Sequence, residues 1–212
     1  MDAATQPATS TRKHIEISAH PANTKQRLQE AYQGALRDAR SGDNDAAGQQ
    51  LEHLLSLDSH HHKARILLAG LYIRQQQPGL AEDLLATGLA DNPEHAPLAK
   101  LYAQLLVAQK RDREAIDFLQ RALPGAAQDA EYHALLAGVY QRTGETATAI
   151  QYYQTALELS PDHGEWWMGL GISQEQAGRT DKAHTTYKRA LQYPLKAVLQ
   201  QYVTTRMESL SR

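Results

Sequence analysis

The side chains best equipped for chemistry in this chain are histidines. Asp58-Ser59-His60-His61-His62 sets three imidazoles in a row, with His53 upstream. Imidazole is a common ligand for zinc, copper and nickel. A metal site, however, needs three or four converging ligands with outer hydrogen bonds to orient them, and successive turn residues point apart. His95, His133, His163 and His184 share no metal-ligand spacing. The chain has no cysteine, which excludes disulfides, thiolate nucleophiles and cysteine-bound zinc. Glu114, Asp117 and Glu145 read as solvated carboxylates. Neither a glycine-rich phosphate loop nor a G-x-S-x-G turn occurs. Nothing brings catalytic groups together, so the chain reads as a non-enzyme that holds no metal and no cofactor.

The adjacent Trp166 and Trp167 raise a second possibility, an aromatic platform for a ligand. Neighbouring positions on a helix are about 100° apart, so the two rings cannot face one pocket. Trp167 reads as a packing residue between helices. Trp166 covers the junction with the preceding helix or is partly exposed.

Both tryptophans belong to a 34-residue period. Ala47, Ala81, Ala115, Ala149 and Ala183 form one column, and Leu55, Leu89, Leu123, Leu157 and Leu191 another. Ala35, Ala69, Ala103, Ala137 and Gly171 are always small. Leu51, Leu85, Leu119, Tyr153 and Tyr187 are always large. Such a unit holds two short antiparallel helices, A and B, with small residues where backbones approach and large ones between them. Gly144 ends one A helix and Pro161 stops the B helix that follows. The fold class is therefore all-α, a solenoid of five helix pairs.

The net charge of −2 lacks the basic excess of nucleic-acid binders. No apolar run of about 18 residues is present to span a membrane, and no signal peptide is visible. Residues 1–22 read as a flexible linker, whose "HIEIS" alternates weakly. Residues 23–194 hold the five repeats. Residues 195–212 read as a C-terminal capping helix, with Leu195, Val198, Leu199, Tyr202, Val203, Met207 and Leu210 on its apolar stripe. Lys196, Gln200, Gln201 and Arg206 take its polar face.

"WMGLGISQ", "AHTTYKRAL" and "EYHALLAGVYQRTGETATAIQYYQTALELSP" resemble the tetratricopeptide repeat (TPR), with large-x-x-Leu-Gly/Ala-x-x-Tyr in helix A and Ala-x-x-x-aromatic-x-x-Ala in helix B. The resemblance implies a right-handed superhelix. Repeat one departs from the pattern, with Gly34 at a large apolar position and Leu54 at a small one. In a TPR superhelix the A helices line a concave groove that takes a protein or peptide partner. On the 34-residue register this groove comprises Tyr32, Leu36, Arg40, Lys63, Ile66, Gly70, Ile73, Arg74, Lys100, Gln104 and Val107, then Glu131, Gly138, Gln141 and Arg142. Glu165, Met168, Ile172 and Glu175 complete it. Its N-terminal half mixes apolar and basic residues and suits a segment that is both acidic and apolar. The column Leu36, Gly70, Gln104, Gly138, Ile172 has no Asn, unlike TPR clamps for chaperone tails.

"HGEWWMGLGISQEQAGRTDKAHTTYKRAL", "LLSLDSHHHKARILLAGLYIRQQQPGLAEDLL" and "LADNPEHAPLAKLYAQLLVAQKRDREAIDFL" further resemble the MshN family of MSHA (mannose-sensitive haemagglutinin) pilus biogenesis. That resemblance implies a periplasmic scaffold for type IV pilus assembly, acting near the secretin. It also implies an inner-membrane anchor upstream of residue 1, so that Met1 is an expression start and the present segment itself makes no membrane contact. Two other expectations are a general periplasmic TPR adaptor or pilotin-like protein, and the substrate-docking module of a larger enzyme.

Overall fold

A computed structural model describes residues 21–210. The linker read over residues 1–22, including "HIEIS", lies outside them except for Pro21 and Ala22, which open the first helix. Eleven α-helices follow: α1 Pro21–Ser41, α2 Asn44–Leu57, α3 His62–Arg74, α4 Pro78–Asp91, α5 Ala96–Ala108, α6 Asp112–Ala122, α7 Ala130–Thr143, α8 Thr146–Leu159, α9 Gly164–Gln176, α10 Thr180–Ala190 and α11 Ala197–Leu210. Among the described residues there is no strand. Turns of two or three residues join α1 to α2, α3 to α4, α5 to α6, α7 to α8 and α9 to α10. Such short turns make each pair antiparallel.

Every one of these turns is built in the same way. One residue has positive φ: Gly42 (92°), Gln76 (60°), Lys110 (64°), Gly144 (83°) and Gly178 (71°). The next N–H reaches back five residues to a carbonyl of the helix that is ending. Those bonds are Asp43 to Asp38 (2.9 Å), Gln77 to Tyr72 (2.8 Å), Arg111 to Leu106 (2.9 Å), Glu145 to Tyr140 (2.9 Å) and Arg179 to Gln174 (2.8 Å). This is the Schellman closure, which satisfies carbonyls that would otherwise lack a partner.

The 34-residue columns form the core. Ala47, Ala81, Ala115, Ala149 and Ala183 are fully buried, as are Ala35, Ala69, Ala103 and Ala137. At the fifth position of that second column, a Cβ on Gly171 would lie 2.6 Å from the Tyr187 ring. In the large column Leu51, Leu85 and Leu119 give way to Tyr153 and Tyr187 from repeat four onward, and the extra ring takes volume from helix A. Tyr153 acts likewise on Gly169, whose Cβ would lie 2.4 Å from the ring.

The departures of repeat one have local compensation. A Cβ on Gly34 would meet Gln50 Oε1 at 2.9 Å, and Gln50 is fixed by donating to Asp38 Oδ2 at 2.6 Å. Leu54 packs in the same cluster as Ala31, which stands where repeat five has Trp167. A large B-helix residue and a small A-helix one thus share a cluster. Repeat two reverses the trade: Arg65 fills the space left by Gly88.

The A helices touch in succession, α1 with α3, α3 with α5, α5 with α7 and α7 with α9. Successive B helices approach one another less. The A helices therefore sit on the inner side of the curve and the B helices on the outer. Helix α11 packs on α10 as a terminal cap, burying Val203 fully, with Leu195, Met207 and Leu210 packed against the same cluster. Of the rest of the expected stripe Leu199 is half-buried, whereas Val198 is 69% exposed and Tyr202 42% exposed. Arg206, expected on the solvent face, turns inward to the Glu175 carboxylate. The helix is rotated so that an ion pair helps to seal its inner edge, with Tyr202 beside it.

Candidate partner-binding groove

Helix-A positions on the inner face carry the candidate site. Tyr32, Leu36, Ile66, Ile73 and Val107 are half-buried and supply apolar floor. Ile66, Ile73 and Val107 pack on the largest core cluster, and Tyr32 packs in the cluster of the first pair. Gly70 leaves open space beside them, since a Cβ there would meet nothing within 4 Å. Arg40, Lys63 and Arg74 are exposed and form no ion pair among the described residues. Gln104 is exposed as well.

Two expected cations are engaged within the fold. Lys100 Nζ donates to Glu131 Oε2 at 2.5 Å, joining α5 to α7. Arg142 makes a two-pronged contact with Asp112, Nε to Oδ1 at 3.0 Å and Nη2 to Oδ2 at 3.2 Å. Arg142 thereby leans to the edge of the groove, toward the start of α6. Gln141 joins α7 to α9, donating to the Gly169 carbonyl at 3.0 Å and to Ser173 Oγ at 2.9 Å. Among the groove positions, the cations that form no ion pair with the described residues thus lie on α1 and α3, while Glu165 stands exposed at the start of α9.

At the far end Met168 and Ile172 are half-buried against the last cluster. The 34-residue register runs on from them into α11: Met168 leads to Tyr202 and Ile172 to Arg206. Ile172, Glu175, Gln176, Tyr202 and Arg206 line one shallow cavity of about 330 Å³. The groove wall therefore continues onto the capping helix, which the polar and apolar faces read from its sequence did not show.

The tryptophans are separated. Trp167 packs in two clusters, donates from Nε1 to the Pro161 carbonyl at 2.7 Å and lies under the Arg189 guanidinium at 4.7 Å. With Leu157 and Leu170 it borders a cavity of about 290 Å³. Trp166 instead stacks on His163 with centroids 3.8 Å apart. Trp167 shares its bond with its column: Arg65 reaches the Ser59 carbonyl at 2.6 Å and His133 contacts the Ala127 carbonyl at 3.1 Å. Each closes onto the turn six residues upstream.

A second column was legible but hidden by mixed residue types. His61, His95, Asp129 and His163 stand 34 residues apart at the N-caps of α3, α5, α7 and α9. His61 Nδ1 accepts the Ala64 N–H at 3.1 Å, His95 Nδ1 that of Leu98 at 3.2 Å, and Asp129 Oδ1 that of Tyr132 at 3.0 Å. The histidine run is therefore part of the capping pattern. Among the described residues no three histidine or carboxylate side chains converge as a metal site.

Comparison with known proteins gives the family. Tetratricopeptide repeat models match residues 38–95, 75–139 and 129–194, together most of the chain. No curated protein matches. A MamA crystal structure is 22% identical, covers 79% of this chain and 92% of its own, and superposes with a TM-score of 0.70. MamA from Desulfovibrio magneticus RS-1 is 16% identical over 78% of this chain and 93% of its own, with a TM-score of 0.68. YrrB, described as a TPR protein with an unusual peptide-binding site, is 18% identical over 85% of this chain and 97% of its own, with a TM-score of 0.71. With its repeat columns buried, its five turns closed alike and most of its length matched, the chain belongs to the tetratricopeptide repeat family.

Proposed function

We propose that this chain is a non-enzymatic scaffold whose inner groove holds an extended segment of a protein partner, with acidic and apolar side chains at the α1–α3 end. The observation that carries this reading is the set of three exposed cations, Arg40, Lys63 and Arg74, unpaired among the described residues, beside the half-buried Tyr32, Leu36, Ile66 and Ile73. Apolar side chains of a partner gain by leaving water on this floor. Carboxylates gain from the free cations and are steered by them. The presence of a peptide-binding site in the similarly folded YrrB supports this use of the fold.

The partner we infer is the secretin or another component of a type IV, MSHA-type pilus assembly machine. The scaffold is then periplasmic and tethered to the inner membrane through a segment before residue 1. Support for this finer reading is the sequence resemblance alone.

The experiment is an affinity capture from an envelope extract of piliated bacteria, with the wild-type chain beside an Arg40→Glu/Lys63→Glu/Arg74→Glu variant. Mass spectrometry identifies what each retains. A pilus-assembly component held by the wild type and lost by the variant is the expected result. Equal retention by the variant overturns the groove assignment. Capture limited to unrelated envelope proteins overturns the pilus assignment.

A further inference from the structure

The starts of α3 and α5 meet through two imidazoles. His62, the first residue of α3, and His95, the N-cap of α5, have ring centroids 4.4 Å apart with planes tilted by 51°. His95 Nδ1 accepts the Leu98 N–H, which requires a bare lone pair on that nitrogen. His62 Nδ1 is buried without a hydrogen-bond partner among the described residues. An imidazolium carries a proton on both nitrogens. Protonated His95 would turn an N–H against the Leu98 N–H, and protonated His62 would hold a buried N–H with no acceptor. Both charges would also stand at the positive ends of helix dipoles.

The surroundings work in the same direction. His60 in the preceding turn and Arg65 on α3 act on His62, and among the described residues Asp91 at the end of α4 is the carboxylate opposing them. Burial, then His95, then Arg65 and His60 hold His62 below the ordinary histidine value of 6.5, with Asp91 pulling the other way. Burial holds His95 below it too, against its own backbone hydrogen bond. The neighbouring cap, His61, accepts the Ala64 N–H and packs its ring 5.2 Å from Tyr32 on α1.

We propose that the junction of the second and third helix pairs is a pH-sensitive hinge, opened when His62 and His95 take up protons. Their charging breaks the α5 cap, sets two like charges ring against ring and loosens the first turns of α3 and α5. Because both folded-state values are depressed, the contribution is complete above the unfolded value of about 6.5 and is lost as pH falls through and below it. Helix α3 bears Lys63, Ile66, Ile73 and Arg74, so the hinge moves one wall of the groove. The proposal needs no ligand for its test and stands or falls apart from the groove assignment.

The test is amide hydrogen exchange, corrected for intrinsic rates, at about pH 7.5 and about pH 5.5, on either side of the histidine range. Wild-type protection in the first turns of α3 and α5 is expected to fall about tenfold, because about pH 5.5 lies about one pH unit below the unfolded histidine value. His62→Gln/His95→Asn keeps a capping side chain but cannot titrate there, and its protection is expected to stay constant. His62→Gln alone keeps the His95 cap and is expected to fall less than wild type. His163→Asn, altered at a position that makes no side-chain cap, is expected to behave as wild type. Wild-type protection that does not change with pH overturns the hinge. So does a His62→Gln fall equal to that of wild type.

Discussion

Arg65 and Gly88 occupy one volume. A Cβ on Gly88 would lie 2.4 Å from Arg65 Cδ and 2.9 Å from its Nε. The guanidinium threads past this glycine, 4% exposed, to donate to the Leu84 carbonyl at 2.9 Å and the Ser59 carbonyl at 2.6 Å. Gly88→Ala is expected to displace the arginine and to cost about 2 kcal/mol, within the range for overpacked cores. In an Arg65→Ala background the same change should cost little. A double-mutant cycle by chemical denaturation measures the coupling, and additive costs would separate the two residues.

Gln76 and Lys110 hold the left-handed conformation that Gly42, Gly144 and Gly178 hold elsewhere. A side chain with a Cβ is strained there by roughly 1–2 kcal/mol. Gln76→Gly and Lys110→Gly are each expected to stabilise the chain by about 1 kcal/mol, after the entropy that glycine adds to the unfolded state. A rise in the denaturation midpoint at unchanged slope is the confirming result. Gly144→Gln should shift the midpoint the other way.

Trp167 joins two core clusters and Trp166 one. Trp167→Ala is expected to cost about 3 kcal/mol, at the lower end for a truncated tryptophan, because it also loses the Pro161 bond and the Arg189 contact. Trp166→Ala should cost about half as much, chiefly its stacking on His163 and its share of one cluster. Equal midpoints for the two variants would contradict the division of roles.

Arg206 secures the capping helix. Its guanidinium meets the Glu175 carboxylate, which also accepts the Tyr187 hydroxyl at 2.9 Å. Arg206→Ala is expected to speed hydrogen exchange in α11 about tenfold, the effect of losing roughly 1.4 kcal/mol locally. Exchange in α5 should stay as it was, since the loss is confined to one end of the array. Exchange that speeds equally throughout would show that α11 unfolds only with the whole.

Much of this architecture was written in the period. Ala47 to Ala183 and Leu51 to Tyr187 are columns because each repeat must solve the same packing problem, and a volume limit leaves a clear trace in residue type. Properties that several residue types can supply left a fainter one. A helix N-cap accepts His61, His95 or Asp129 alike, and a left-handed turn tolerates Lys110 where glycine is easier, so these columns look irregular on the page. Compensation between columns is fainter still: Ala31 with Leu54, or Arg65 with Gly88, reads as two faults until the side chains are seen together. For the groove, the register identified positions but not engagements. Lys100 and Glu131, like Arg206 and Glu175, are 31 residues apart, about one period less one helical turn. That spacing places the partners on successive A helices, or on the last A helix and the capping helix, and can be searched for directly.

The succession of contacts, in which each helix packs chiefly on its near neighbours along the chain, also sets how the protein responds to load. Among the described residues the main packing is between near neighbours, so tension along the superhelix first changes the angle between adjacent pairs, and the molecule lengthens as a spring does. Under greater tension it yields one pair at a time from an end, rather than all at once. A scaffold of this kind can remain attached to two moving bodies while giving way gradually between them.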